Sequence, residues 1–120
     1  MYTYSFEKLE VWQNARDLAK QIYIATKSYP EDEKFGLTNQ MRRAVISISS
    51  NIAEGSGRTS NKDFAHFVQI SYGSLLELLN QLILSLDLEY ISNTIYFEIR
   101  PAIEEISNKL NSLRNYLLNN

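Results

Sequence analysis

The chain has 120 residues, of which 44% are hydrophobic and 22% charged, so it is long enough for one domain and too apolar for disorder. It carries only four glycines and two prolines, too little turn punctuation for a β-sandwich or an α/β fold. It has no cysteine, which excludes disulfides, thiolate nucleophiles, zinc–thiolate sites and iron–sulfur clusters and suits a reducing, cytoplasmic setting. Twelve Lys and Arg against fourteen Asp and Glu argue against a uniformly basic nucleic-acid binder.

A first helix is expected from near Phe6, with Ser5 as its N-cap. Trp12, Ala15, Ala19, Ile22 and Thr26 recur at spacings of three and four and share one face. Pro30 stops this helix, because the residue before a proline is pushed away from the helical region. Glu31, Asp32 and Glu33 then read as a solvated turn. A second helix follows Gly36, capped by Thr38 or Asn39, with Met41, Val45, Ile48 and Ile52 as its apolar seam. Its end falls at Gly55-Ser56-Gly57, where a glycine can take the left-handed conformation that closes helices.

Ser60 caps a third helix, with Asp63 three residues on in the manner of a capping box. Phe64, Val68, Ser71, Leu75, Leu78, Leu82 and Leu86 form a heptad-like seam. Ala65, Tyr72, Leu76, Leu79 and Ile83 widen it, and Ile70 and Leu84 lie towards the far side. A helix apolar over most of its circumference is buried on several sides, which in so small a chain points to a subunit interface. Ser92 or Asn93 caps a fourth helix whose seam is Ile99, Ile103, Ile106, Leu110, Leu113 and Leu117, with a kink or a true start expected near Pro101. Four helices with short connections predict one all-α domain spanning residues 1–120, an antiparallel up-down-up-down four-helix bundle. The most apolar stretch, Leu75 to Leu88, is interrupted by Glu77, Asn80, Gln81 and Asp87, so no membrane span is expected.

Chemistry is sparse. Asp63-Phe64-Ala65-His66 occurs once and there is no second histidine, so a di-metal carboxylate site lacks its ligands. Gly55 and Gly57 lack the preceding strand and the following Lys-Ser/Thr of a phosphate-binding loop. No cofactor, metal or catalytic residue is expected. A polar stripe of Arg43, Ser47, Ser50 and Glu54 with Asn51 runs along the second helix and reads as a hydrogen-bonded network that fixes helix register.

Charge is segregated along the chain. Residues 34–62 hold Lys34, Arg42, Arg43, Arg58 and Lys62 against Glu54 alone, whereas residues 63–91 hold Asp63, Glu77, Asp87 and Glu89 and no base. One reading pairs the two helices electrostatically; the other makes Arg42, Arg58 and Lys62 a strip for a phosphate backbone. The loop from Gly57 to Lys62 leads into a helix N-terminus, where free N–H groups suit either a plain cap or a phosphate.

Gln40-Met41-Arg42-Arg43-Ala44, then Ser47, then Asn51-Ile52-Ala53-Glu54-Gly55 form a distinctive combination. Phe6 to Trp12, Phe35-Gly36-Leu37-Thr38 and Gly73-Ser74-Leu75-Leu76-Glu77 extend it over nearly the whole chain. With these motifs the sequence resembles the bacterial 23S rRNA intervening-sequence proteins, also called S23 ribosomal proteins, a family of four-helix bundles without accepted catalytic residues. The resemblance reaches further to the accessory variability determinant of diversity-generating retroelements, which implies a pentameric, nucleic-acid-binding assembly. The resulting expectation is a non-enzymatic homo-oligomer, a pentamer by that resemblance, associated with RNA. Ile70, Gly73, Ser74, Glu77 and Leu84 are expected at its subunit interface. A protein-binding scaffold without nucleic-acid affinity is the alternative.

Overall fold

A computed structural model describes every residue from Met1 to Asn120 and contains four α-helices and no strand. They are α1 Glu10–Thr26, α2 Leu37–Ser56, α3 Asn61–Asp87 and α4 Asn93–Leu118, with short 3₁₀ turns at Ser5–Lys8 and Glu31–Glu33. Each helix packs on its sequence neighbours, and α1 against α4 closes the ring without diagonal contacts. That is the up-down-up-down bundle, 44 × 29 × 21 Å, with α2 and α3 as its most extensive pairing.

The core is the set of seams turned inward. Leu18, Ile48, Leu75 and Ile106, one from each helix, are fully enclosed, and each such side chain contributes about 1.5–3 kcal/mol of burial. On α1 the buried stripe is Val11, Ala15, Leu18, Ile22 and Thr26, one residue round from the expected face. Trp12 and Ala19 flank it half-buried, because an apolar stripe this broad leaves its centre open until the neighbours are placed. Polar side chains inside the core find backbone acceptors: Ser71 Oγ donates across to the Ile48 carbonyl of α2 at 2.7 Å, and Ser85 Oγ to the Gln81 carbonyl of its own helix at 2.8 Å. The Tyr29 hydroxyl and Gln81 Oε1 are buried without a partner.

Helix termini separate local from long-range capping. Ser60 Oγ accepts the Asp63 N–H and Ser92 Oγ accepts the Ile95 N–H, both at 3.1 Å. The first helix, in contrast, does not start at Phe6. Residues Ser5–Lys8 form a separate turn in which Glu7 Oε2 accepts the Tyr4 N–H at 2.8 Å, and Leu9, in extended conformation, resets the chain before Glu10. The second helix starts at Leu37, and neither Thr38 nor Asn39 caps it. Glu33 does so from the preceding turn, its Oε1 accepting the Leu37 N–H at 3.2 Å while its Oε2 accepts the Tyr90 hydroxyl at 2.8 Å. Glu33 is therefore half-buried, unlike the exposed Glu31 and Asp32 beside it. The Tyr90 hydroxyl first, and the Leu37 N–H second, hold its carboxyl below the usual range.

Two further expectations change in three dimensions. Gly57 ends α2 with a φ of −87°, in the right-handed region, so no left-handed glycine closes this helix. The glycine that matters is Gly55, buried where α2 meets α3; a Cβ there would stand 2.6 Å from Phe67 Cβ and 2.9 Å from Phe64 Cδ1. Helix α4 is continuous from Asn93 through Pro101, so it does not begin at the proline. The proline is exposed, so the Phe97 carbonyl that loses its helical partner lies on the side that water can reach.

Candidate nucleic-acid interface

The bases singled out by sequence have different fates. Arg42 Nε donates to Thr26 Oγ1 at 2.9 Å and its Nη2 to the Tyr23 carbonyl at 3.3 Å, and its guanidinium lies 4.6 Å from the Tyr23 ring centroid. It thus ties α2 to the C-terminal turn of α1, where free carbonyls need donors. Arg58 Nη2 reaches Glu54 Oε1 at 3.2 Å, with its guanidinium 4.5 Å from the Phe67 ring centroid. Their side chains are 44% and 59% exposed, and an exposed pair of this kind is worth about 1 kcal/mol at most, so Arg58 can exchange partners. Lys62 is exposed and has no ion-pair partner. Arg42 also lies near the start of α2 and Arg58 just past its end. Sixteen residues at 1.5 Å each place them about 24 Å apart along the axis, so the three bases do not form one compact site.

Lys62 instead joins residues that sequence spacing does not connect. Antiparallel packing sets the last turns of α4 beside the first turns of α3. There Lys62, His66, Gln69 and Arg114, with Asp63, line an open groove of about 400 Å³. Arg114 has no ion-pair partner, and His66, the only histidine, is exposed. Only the bundle topology could have brought Arg114 to Lys62, since they belong to different charge segments of the chain.

A larger groove, about 710 Å³, runs over the outer face of α2 towards α3, lined among others by Arg43, Ser47, Ser74 and Glu77. In it Ser47 Oγ and Ser74 Oγ share a hydrogen bond of 2.8 Å, while Asn51 Nδ2 donates to the Ser47 carbonyl at 2.8 Å and to Ser47 Oγ at 3.0 Å. Small side chains let the two helices approach, and the hydroxyls bridge them. Arg43 stands outside this network, exposed and without a hydrogen bond, and Ser50 is exposed. Glu54 belongs to Arg58. Ser74 is half-buried and already engaged within the subunit.

Of the other residues expected at an interface, Gly73 is exposed with open space where a Cβ would stand. Ile70 and Leu84 are 40% and 44% exposed and share one outward flank of α3, whereas Leu76 and Ile83, 46% and 38% exposed, lie on the flank towards α4. Glu77 shares the flank of Ile70 and Leu84 and accepts the Gln81 Nε2 at 3.3 Å. No group of three or more His, Cys, Asp or Glu side chains gathers to hold a metal ion. No helix is long and apolar enough to cross a membrane.

Fold and surface together define a small antiparallel four-helix-bundle protein with open surface grooves, exposed apolar side chains on its longest helix and no recognisable enzymatic constellation. The chain belongs to the 23S rRNA-intervening sequence protein family, whose model matches residues 7–112. Among solved structures it is similar to a protein of unknown function from the S23 ribosomal protein family of Bacteroides thetaiotaomicron. That likeness has 27% identity and a TM-score of 0.79, and covers 87% of this chain and 97% of the other. No curated protein matches it.

Proposed function

We propose that this chain is a non-enzymatic, cytoplasmic module that associates with RNA through its phosphate backbone. The observation that carries the reading is the groove between α3 and α4, where the unpaired Lys62 and Arg114 converge with His66. Arg58, held by an exposed carboxylate and the face of Phe67, stands at the same end of the bundle. Membership of a family described by its link to 23S rRNA supports the same reading. Arg42, bonded to α1, is left to hold the fold.

The test is labelled single-stranded RNA anisotropy at several salt concentrations. Each neutralised phosphate releases counterions, and three contacts per subunit give a slope of log K against log[salt] of roughly −2 on single strands. Lys62→Ala with Arg114→Ala should flatten that slope and weaken binding similarly for every sequence, because phosphate contacts position a strand without reading it. No binding even at low salt would overturn the proposal.

The module acts as a ring-like homo-oligomer, with five copies as the number suggested by resemblance. Support comes from the exposed apolar side chains of α3, Ile70 and Leu84 on one flank and Leu76 and Ile83 on the other, four large apolar groups left to water on one helix. Gly73, Ser74 and Glu77 lie along it. Leu84→Asp should dissociate the assembly in a sedimentation experiment, and a wild-type protein that sediments as a monomer at micromolar concentration would refute it. The same side chains favour one second reading, a protein-binding scaffold without nucleic-acid affinity, which predicts no RNA signal at any salt concentration.

A further inference from the structure

The residues ahead of α1 form a continuous aromatic ladder. Tyr2 meets Tyr4 edge to face with ring centroids 4.9 Å apart, Tyr4 lies nearly parallel to Phe6 at 6.5 Å, and Phe6 meets Trp12 edge to face at 5.0 Å. The Arg16 guanidinium then lies 5.6 Å from the centroid of the Trp12 ring. The inner end is anchored, since Phe6 and Trp12 are half-buried and Trp12 packs on the core. The outer end is bare: Tyr2 is 76% and Tyr4 61% exposed.

The segment is also held in shape. The Tyr4 N–H donates to Glu7 Oε2 at 2.8 Å, and Gln13 Nε2 donates to the Glu7 carbonyl at 2.9 Å. Two cations are available beside it, since Lys8 and Arg16 have no ion-pair partner. Glu10 is paired with Lys109 at 2.6 Å, while Glu7, which accepts the Tyr4 N–H, and Asp17 keep their charges. Antiparallel topology puts this segment at the same end of the bundle as Arg58 and Lys62.

We infer that Tyr2 and Tyr4 are a stacking platform for unpaired bases of single-stranded RNA, with Arg16 at the inner end of the same ladder and Lys8 at the end of its turn for the intervening phosphates. The inference rests on the RNA reading above and deepens it, by naming the single strand as the substrate form and π-faces as the means of holding it. Exposed aromatic rings interleaved with cations are what sequence-tolerant single-strand binding uses, because every base offers a face to stack while every linkage offers a charge. Two tyrosines exposed to this extent bury little within the subunit. Their ordered arrangement means that a base would meet a surface already arranged to receive it.

The experiment compares the wild type with Tyr2→Ala/Tyr4→Ala and Tyr2→Phe/Tyr4→Phe. The ligands are a labelled unstructured RNA and an abasic phosphodiester strand of equal length. Loss of one base stack corresponds to about five- to 150-fold in affinity. The alanine pair should therefore weaken RNA binding at least about tenfold while leaving the abasic strand and the salt slope unchanged. The phenylalanine pair, which keeps the faces, should restore RNA affinity. Equal RNA affinity in wild type and alanine pair would overturn the platform while leaving the phosphate reading standing. A wild type that binds neither strand would overturn both. A change in sedimentation of the alanine pair, without a change in RNA affinity, would make the ladder a contact between copies and overturn the inference as well.

Discussion

Replacing Gly55 by alanine tests how tightly α2 and α3 are pressed together. A Cβ there would lie 2.6 Å from Phe67 Cβ, nearly an ångström inside the ~3.5 Å at which carbon atoms ordinarily touch. The Phe64 ring, 2.9 Å away, can swing aside. Phe67 Cβ cannot, because it is fixed to the α3 backbone and moves only if the helix moves. Overpacking of this kind costs typically about 1–3 kcal/mol, against a gain of about 1 kcal/mol when glycine in a helix becomes alanine. Gly55 is the next-to-last residue of α2, where the full propensity gain of a helix interior is not realised. The collision wins, and Gly55→Ala should be destabilised by roughly 1–2 kcal/mol, which lowers the melting temperature by several degrees in a domain this size. Two other glycines serve as controls. At Gly57 the nearest atom to an added Cβ is the Glu54 carbonyl oxygen at 3.5 Å, and at Gly73 nothing lies within 4 Å. Gly57→Ala should be close to neutral, and Gly73→Ala should stabilise the isolated subunit by up to about 1 kcal/mol. Urea unfolding followed by circular dichroism ranks the three. A Gly55→Ala protein as stable as the wild type would refute the close approach.

Gln81 is 3% exposed with its Oε1 unpartnered, so Gln81→Met, which keeps the volume and removes the buried amide, should leave stability unchanged or raise it by about 1 kcal/mol; a clear loss in urea unfolding would contradict this. The Glu33–Tyr90 pair gives a pH signature. Because Glu33 titrates below the usual carboxylate range when folded, its contribution is present above that range and is lost as pH falls through the lowered folded value. Tyr90, raised by its bond to Glu33, contributes in the opposite sense, losing its share only as alkaline pH passes its raised folded value. Tyr90→Phe should therefore flatten both the acid and the alkaline limb of a stability–pH curve measured by urea midpoints, and curves parallel to the wild type would count against the pairing.

What could be read from sequence divides along the reach of each interaction. Ser60 and Ser92 cap their helices through bonds to residues three positions on, and such caps are legible because nothing distant takes part. The seams of α3 and α4 were legible for the same reason: a period is a local property. The cap of α2 was not, since Glu33 reaches Leu37 only once the turn before the helix folds and Tyr90 arrives from the far loop. The face of α1 slipped from Trp12 to Val11 because a wide stripe has no preferred centre without its neighbours. The polar stripe of α2 was read as Arg43, Ser47, Ser50 and Glu54 with Asn51 beside it, and its spacing said nothing of Ser74, whose hydroxyl joins Ser47 and Asn51 and leaves Arg43 outside.

The candidate site shows the same limit in its electrostatics. A charge segment counted along the sequence is not a charge patch, because an antiparallel bundle folds the end of one helix beside the beginning of another. Arg42 and Arg58 lie in one basic segment, yet the length of α2 separates them and each is committed to a different neighbour. Lys62 and Arg114 are 52 residues apart in the sequence and share a groove. The opposite end of the bundle gathers the exposed Glu31, Asp32, Asp87 and Glu89 from two loops. In the groove itself Lys62 and Arg114 stand against Asp63 alone, so an overall excess of acid is compatible with a local excess of base: the acidic loops lie at the end away from the groove, at a distance approaching the 44 Å length of the molecule. That is several Debye lengths at physiological salt, each about 8 Å, so the acidic loops do little to repel a strand held in the groove.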